Sequence, residues 1–377
     1  MTSRPEIGVE IAVIGGGLVG AAVAYGLIKK GLSIVLLDEG DSAIRASRGN
    51  FGLVCAAGKG DKLENYAPWA LQGVHVWAEF AKNLIAETGI DLELEQNGGF
   101  VFCAEPPALK ERIEMMERLR RKSGLDFEVM QPAEIARLMP GVSSNVAGAI
   151  FCEIDGAANP LKLLRALHAA ISATEGALRR DARAERIERT SGGYRITTPA
   201  GVVTSEKVVL AAGLGNLGLA KWLGVRLPIK PMRGQILVTE RYEPVLKAPS
   251  EHVRQTMDGT FLLGGSWEDV GYDTSTTFEV TRDIAARAVR YFPFLEKVRL
   301  VRTWSALRIL APDNAPIYEE IAPCAFLVTC HSGVSLAAIH AGKVAGWIAD
   351  GALPDEAAPF ALSRFESSLP EREVAYG

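Results

Sequence analysis

The sequence predicts an α/β fold: a parallel-sheet domain of the βαβ type, interleaved with an α+β domain whose sheet is mixed and largely antiparallel. Three observations point there. The segment Ile11–Ile28 carries no charge and turns on Gly15-Gly16-Gly17-Leu18-Val19-Gly20. A second apolar block, Phe326–Thr329, passes through His331-Ser332-Gly333 into a long helical pattern that runs to Ile348. Between them lie short strand-like runs and amphipathic helices, with at least one hairpin-like pair.

In the first block a strand enters the glycine turn and a helix leaves it. Gly15 allows the tight turn, Gly17 lets the backbone approach a pyrophosphate, and Gly20 lets helix and sheet pack closely. The helix N-terminus, beginning at Leu18 and Val19, offers free N–H groups and a positive dipole end to phosphates. Strand Ser33–Leu37 then ends at Asp38, where a carboxylate can accept from ribose hydroxyls and disfavours a 2′-phosphate. Strand, turn, helix, second strand and acid in that order distinguish a dinucleotide site from a chance glycine turn.

Further along, Tyr66–Thr88 has helical periodicity, Gly99–Ala104 reads as a strand, and Pro107–Ser123 as an amphipathic helix. Ala147–Phe151 is strand-like. Asn159 and Pro160 suit the N-cap and first position of the next helix. Tyr194–Thr198 and Gly201–Thr204 form a hairpin-like pair, and Lys207–Ala212 is a buried strand. Arg233–Thr239, Thr260–Gly265 and Val298–Trp304 are strand-like, and Val280–Tyr291 is helical. These elements assign residues 1–80, 147–220 and 300–365 to the cofactor domain. Residues 81–146 and 221–299 go to the substrate domain, and 366–377 to a tail.

The chain has 377 residues, 48% hydrophobic and 23% charged, enough for a sizeable core. A formal net charge of −4 and a pI near 5.9 give no nucleic-acid footprint. The five cysteines are scattered, with no CxxC and no metal-like spacing, so neither a disulfide framework, a metal site nor a resident iron–sulfur cluster is expected. Reduced thiols and the absence of a basic leader before Ile11 predict a cytoplasmic protein with no transmembrane segment.

Three features select a flavin among dinucleotides. The loop Arg45-Ala46-Ser47-Arg48-Gly49-Asn50-Phe51-Gly52 follows the second strand, where small and hydrogen-bonding residues can reach along a pyrophosphate. The strand Val208–Gly213 ends in Ala211-Ala212-Gly213, which permits close approach. Cys330-His331-Ser332-Gly333 puts donors and a positive helix end where a reduced flavin would hold negative charge. Together they predict a Rossmann-like FAD-binding domain.

On these motifs, with Ile229-Lys230-Pro231-Met232-Arg233-Gly234-Gln235 and Leu307-Arg308…Pro312-Asp313, the chain resembles the D-amino-acid-oxidase superfamily, in its glycine oxidase and sarcosine oxidase branch. Ala46–Val54 and Thr329–Val334 look most like the FAD-containing β subunits of bacterial opine oxidase and D-hydroxyproline dehydrogenase, with hydrogen cyanide synthase more distant. The resemblance implies noncovalent FAD held by Gly15, Gly17, Leu18, Val19, Gly20, Asp38, Glu39, Ala46, Ser47, Arg48, Asn50, Phe51, Gly52, Ala184, Ala212, Gly213, Ser332, Gly333, Val334 and Ser335. It also implies oxidation of a C–N bond beside a carboxylate, by hydride transfer to flavin N5.

Arg308 matches the arginine that clamps the substrate carboxylate in glycine oxidase, and a guanidinium fork suits that task. His331 would stabilise the reduced flavin, and Trp267 and Tyr272 would wall the substrate pocket. Sarcosine oxidases attach flavin through a cysteine and use a lysine for oxygen. Ile309–Ala311 has no such cysteine, and Phe261–Asp269 has Ser266 and Trp267 but no lysine. An acceptor other than oxygen is therefore expected. The β-subunit resemblance implies a larger α subunit with a second nucleotide site, and a small iron–sulfur subunit as a further partner. The alternatives are a stand-alone oxidase, a flavin-bearing structural subunit whose partner does the chemistry, and an NAD-dependent dehydrogenase sharing only the first βαβ unit.

Overall fold

A computed structural model describes residues 6–40 and 45–368; of the tail assigned from sequence, 369–377 lie outside the described residues. The glycine turn organises the main sheet. Strand Glu6–Ile14 pairs in parallel with Gly201–Leu210 on one side and Ile34–Leu37 on the other. Ala325–Thr329 and Leu178–Arg179 extend the parallel region at either edge. Ile317–Ala322 adds an antiparallel edge, and Gly193–Thr198 with Arg186–Thr190 form a hairpin extension from Gly201–Leu210. The central strands are apolar on both faces because both are covered.

Helix Leu18–Lys29 lies on one face and is buried along most of its length. Its glycines explain how it packs so closely. A Cβ on Gly20 would fall inside the carbonyl oxygen of Gly15, and one on Gly26 would fall inside that of Ala341. Gly15 has φ of +110°, and a Cβ there would lie 2.5 Å from the Ala212 Cα. Helix Pro160–Ser172 packs beside it, with Asn159 accepting from the Leu161 and Lys162 N–H groups as an N-cap.

The second domain is built on a four-stranded antiparallel sheet in the order Val253–Gln255, Thr260–Gly264, Lys230–Arg241, Leu300–Leu310. A three-stranded sheet of Gly99–Cys103, Gly148–Cys152 and Glu128–Met130 joins it through the Phe100–Ser250 bridge. Phe100, Phe102, Leu237, Phe261, Tyr291 and Phe292 share its core. The strands at 148–152 and 300–310, which the sequence pattern groups with the cofactor segments opening at 147 and 300, pair with Gly99–Cys103 and Lys230–Arg241.

Two helices also differ from expectation. Tyr66–Thr88 is two helices, Tyr66–His75 and Trp77–Thr88, broken at Val76. The break accompanies the Trp77 indole, which donates to the Val334 carbonyl at 3.0 Å. The terminal helix starts at Ala337, after a turn through Leu336, and passes through a π-helical turn at His340–Val344 before Ala345–Asp350. Among the described residues no helix is long and apolar enough to cross a membrane.

Replacing Gly26 by Ala tests the close helix contact away from any site. The new Cβ would also lie 2.6 Å from that of Ala345. Overpacking here is expected to cost roughly 1–3 kcal/mol, seen as a lower melting temperature by calorimetry. An unchanged transition would count against the packing described.

Candidate active site

The sheet's carboxyl edge opens into a cleft of about 640 Å³ that begins at the glycine turn. Gly15, Gly17, Leu18, Val19, Asp38, Glu39, Ala46, Ser47, Arg48, Asn50, Ala184, Ala212, Gly213, His331 and Gly333 all line it. A second cavity of about 500 Å³ is lined by Phe51, Trp267, Arg308, Ser332, Val334 and Ser335. Ala46, Asn50, Ile309 and His331 border both, so the two spaces meet at His331.

The cleft is built by local hydrogen bonds. Asp38 accepts from Gly16 N–H at 2.7 Å and Gly40 N–H at 2.9 Å, so it braces the turn as well as facing the cleft. The Ser47 hydroxyl accepts from Leu18 N–H at 2.9 Å, leaving its own proton free to reach a phosphate. His168 approaches the Gly16 carbonyl at 2.7 Å, a contact that no sequence signal marks. Gly20 and Gly52, expected at the cofactor, lie behind it. Gly20 sets the helix contact, and Gly52, at φ +93°, packs against the Ala158 carbonyl and Arg254. Among the described residues the buried hydroxyl of Thr329 in the cleft has no hydrogen-bond partner, and those of Ser332 and Tyr66 in the second cavity have none beyond each other. A long polar cofactor would meet such groups, and the Cβ-free turn leaves room for its pyrophosphate.

Arg308 projects from strand Leu300–Leu310, with Met232 opposite it and Gly234 opposite Ala306. Its guanidinium lies over Gly234 so closely that a Cβ there would occupy the same space. It donates to the carbonyls of Ser266 at 2.7 Å and Arg233 at 3.2 Å, and stacks over the Trp267 ring at 4.5 Å. No carboxylate of the described residues lies within 4.0 Å of it. Burial pushes its pKa down to about 10, opposed by Glu268, so it stays charged at neutral pH. The Met232-Arg233-Gly234-Gln235 segment thus acquires a physical meaning. Arg233, 3% exposed, holds Glu268 at 2.6 Å and Asp273 at 2.5 Å, and Gln235 also donates to Glu268. These bonds hold the loop that carries Trp267.

Trp267 stands edge-on to His331 with centroids 5.7 Å apart, which places it at the junction of the two spaces. Tyr272 does not join it. It is 63% exposed on the loop held by Arg233, and does not line the cavity. His331 is driven well below its usual pKa, first by burial and then by the charges of Lys59 and Arg308. It is a neutral imidazole, able to offer one donor and one acceptor but no positive charge. With the helix starting only at Ala337, positive charge at this end of the cavity comes from Arg308 and Lys59.

Sequence reasoning also missed Lys59, Tyr66, Asp155 and Glu251 in the lining. Lys59 lies in the turn after the Ala46–Val54 loop, outside any recognisable pattern, and Tyr66 opens a helix whose periodicity signals packing. Asp155 accepts from Ala56 and Ala57 N–H at 2.8 and 3.3 Å, fixing that turn. Glu251 contacts His252 at 3.3 Å on the far wall, where burial raises the carboxyl pKa and lowers that of His252 to about 3.

A parallel-sheet dinucleotide cleft that meets a cation-bearing cavity under an antiparallel sheet defines a flavin-type oxidoreductase. Similarity to known proteins makes the class specific. Residues 10–347 match the family model described as FAD dependent oxidoreductase, the DAO family, and the chain belongs to it. It is 38% identical over 364 residues to one of the subunits of opine oxidase from Agrobacterium tumefaciens (strain Ach5), covering 95% of this chain and 98% of that protein. It is also 38% identical over 368 residues to the corresponding opine oxidase subunit from Rhizobium meliloti, covering 96% and 99%. Glycine oxidase from Geobacillus kaustophilus shares the fold, with a TM-score of 0.85 at 22% identity over 95% of this chain and 99% of that one. The protein is an FAD-dependent oxidoreductase, and FAD is its cofactor.

Two outcomes follow from the geometry. Gly234→Ala should displace the Arg308 guanidinium, lowering kcat/KM while flavin content, read from the visible spectrum, is retained. Loss of flavin with unchanged kinetics of the remaining holoprotein would contradict it. Asp155 supplies a pH signature. Burial raises its carboxyl to about 6 against the pull of two N–H donors. The folded state therefore favours the protonated form, a contribution present below about pH 4 and lost as pH rises through 6. Relative to Asp155→Asn, the wild type should lose on the order of 3 kcal/mol of stability between about pH 4 and 7, measured by denaturant titration.

Proposed function

We propose that the chain oxidises the C–N bond of an amino or imino acid, such as an opine or D-hydroxyproline, as the FAD-bearing β subunit of a heteromeric dehydrogenase. The observation that carries this reading is Arg308: a largely buried cation without a carboxylate partner among the described residues, in a cavity that meets the cofactor cleft. A buried unpaired charge is costly, and a substrate carboxylate supplies its counterion. FAD, when bound, supplies the hydride acceptor. The protein's own residues provide orientation. Arg308 holds the carboxylate, the Trp267 face and the fixed Ser266 carbonyl hold Arg308, and neutral His331 stands at the junction. Such positioning suits a reaction that needs a placed C–H more than a side-chain base. The names of the two relatives above support an opine-like substrate and a place as one subunit of several, and a cytoplasmic location belongs to the same proposal.

Arg308→Leu is expected to lower kcat/KM by roughly 10²- to 10⁴-fold, corresponding to about 3–5 kcal/mol for breaking a desolvated charge pair, at unchanged flavin content. Anaerobic flavin reduction against a panel of opines, D-hydroxyproline, proline and D-amino acids measures it, and normal kinetics would remove Arg308 from the site. Acid precipitation should release the flavin into the supernatant, because Ile309–Ala311 carries no attachment cysteine; colour in the pellet would contradict that. With substrate the isolated chain should reduce an artificial dye and form little hydrogen peroxide. Brisk peroxide formation by a lone monomer would make it a simple oxidase.

A further inference from the structure

Besides Arg308, the cavity is lined by Lys59, Lys62 and Arg112, cations for which the carboxylate anchor does not account. Lys59 ends the turn after Ala56, to whose carbonyl its N–H donates at 3.1 Å, and its side chain lines the same cavity as Arg308. Its charge acts on His331 more strongly than that of Arg308 does. Among the described residues its ammonium has no hydrogen bond and no carboxylate within 4.0 Å. The acids of the cavity wall are engaged elsewhere. Asp61 pairs with Arg118 at 2.6 Å and Asp313 with Arg364 at 2.8 Å. Asp155 directs both oxygens at backbone N–H groups while its charge also acts on Lys59 from beyond 4.0 Å, and Glu251 faces His252, Arg112 and Arg287. Of the cations lining this space of about 500 Å³, Lys62 is exposed and donates to the Pro312 carbonyl at 3.4 Å and Arg112 stands by Glu251, which leaves Arg308 and Lys59 as the two open to a ligand.

We infer that Lys59 is a specificity-determining residue that binds a second carboxylate of the substrate. This rests on the reading of Arg308 as the first anchor. The substrate it selects is a secondary amine with a carboxylate on each side of nitrogen, in preference to a monocarboxylic amine. The two cations suit the two ends differently. The planar guanidinium, pinned by two carbonyls and an indole, fixes one carboxylate in orientation. The ammonium, a point charge on a flexible stem, accepts the other over a range of distances and so tolerates variation in the N-substituent. Tyr66 and Ser332, whose buried hydroxyls have no partner beyond each other among the described residues, line the same space and can complete the hydrogen bonding of the bound acid.

The test compares two amines that differ by one carboxylate, iminodiacetate and sarcosine, by anaerobic flavin reduction of the holoprotein. The wild type should favour iminodiacetate in kcat/KM by roughly 10- to 100-fold, the worth of one charge-assisted contact. Lys59→Met should collapse that ratio towards unity, and Lys59→Arg should restore part of it. A wild type without the preference would overturn the inference, as would a Lys59→Met variant that keeps the ratio. Equal losses for both amines would also overturn it, placing Lys59 at the cofactor or the electron acceptor instead. Binding of unreactive glutarate and butyrate, followed by perturbation of the flavin spectrum, measures the same ratio without turnover. A Lys59→Met ratio unchanged there overturns the inference even if neither amine is a substrate. Arg308→Leu separates the two readings, since failure of the first anchor leaves binding of both acids unaffected by that substitution.

Discussion

Close backbone approach at the glycine turn is the constraint on which the rest of this structure depends. Gly15 lies against Ala211 and Ala212, and Gly20 lies against Gly15, because no Cβ intervenes. That contact fixes the height of helix Leu18–Lys29 over the sheet, and Gly26 carries the same closeness on to the terminal helix. The cleft is the space left where these elements diverge. Asp38, Ser47 and His168 then hold the turn from three separate segments, so the donors at its rim are set before a ligand arrives.

The second domain solves a different problem, the desolvation of a guanidinium. Arg308 is seated on a glycine, bonded to two carbonyls and covered by an indole, yet given no counterion by the described residues. Arg233 is the contrasting case one strand away, still more buried but paired with Glu268 and Asp273. The two arginines differ in what their neighbours give them: Arg233 is paired and holds the loop, and Arg308 is left without a carboxylate within 4.0 Å among the described residues. Lys59 lines the same cavity, and both of its histidines, His252 and His331, are pushed down by burial and held neutral.

Much of this was legible in the chain. A charge-free run around Gly15–Gly20 ending at Asp38 specifies strand, turn, helix and strand through local sterics, and Asn159-Pro160 specifies a helix start in the same way. Arg308 stood out through its resemblance to a known carboxylate clamp and its apolar neighbours. These are signals that neighbouring residues carry by themselves.

What tertiary structure decided involves residues distant in sequence. The strands at 148–152 and 300–310 pair with Gly99–Cys103 and Lys230–Arg241 because partners, not local pattern, assign a strand to a sheet. Trp267 lines the cavity and Tyr272 does not, although both lie on the loop that Arg233 holds from another strand. Gly20 and Gly52 support the cofactor cleft from behind it, a distinction that spacing alone does not make. Lys59 had no motif at all. The acids around it are committed to Arg118, Arg364 and backbone N–H groups, and that commitment exists only once the chain is folded. The sequence by itself determined a dinucleotide fold, since that is written in short-range patterns. The field of the cavity was decided only by the fold, because charge compensation is a property of neighbours in space.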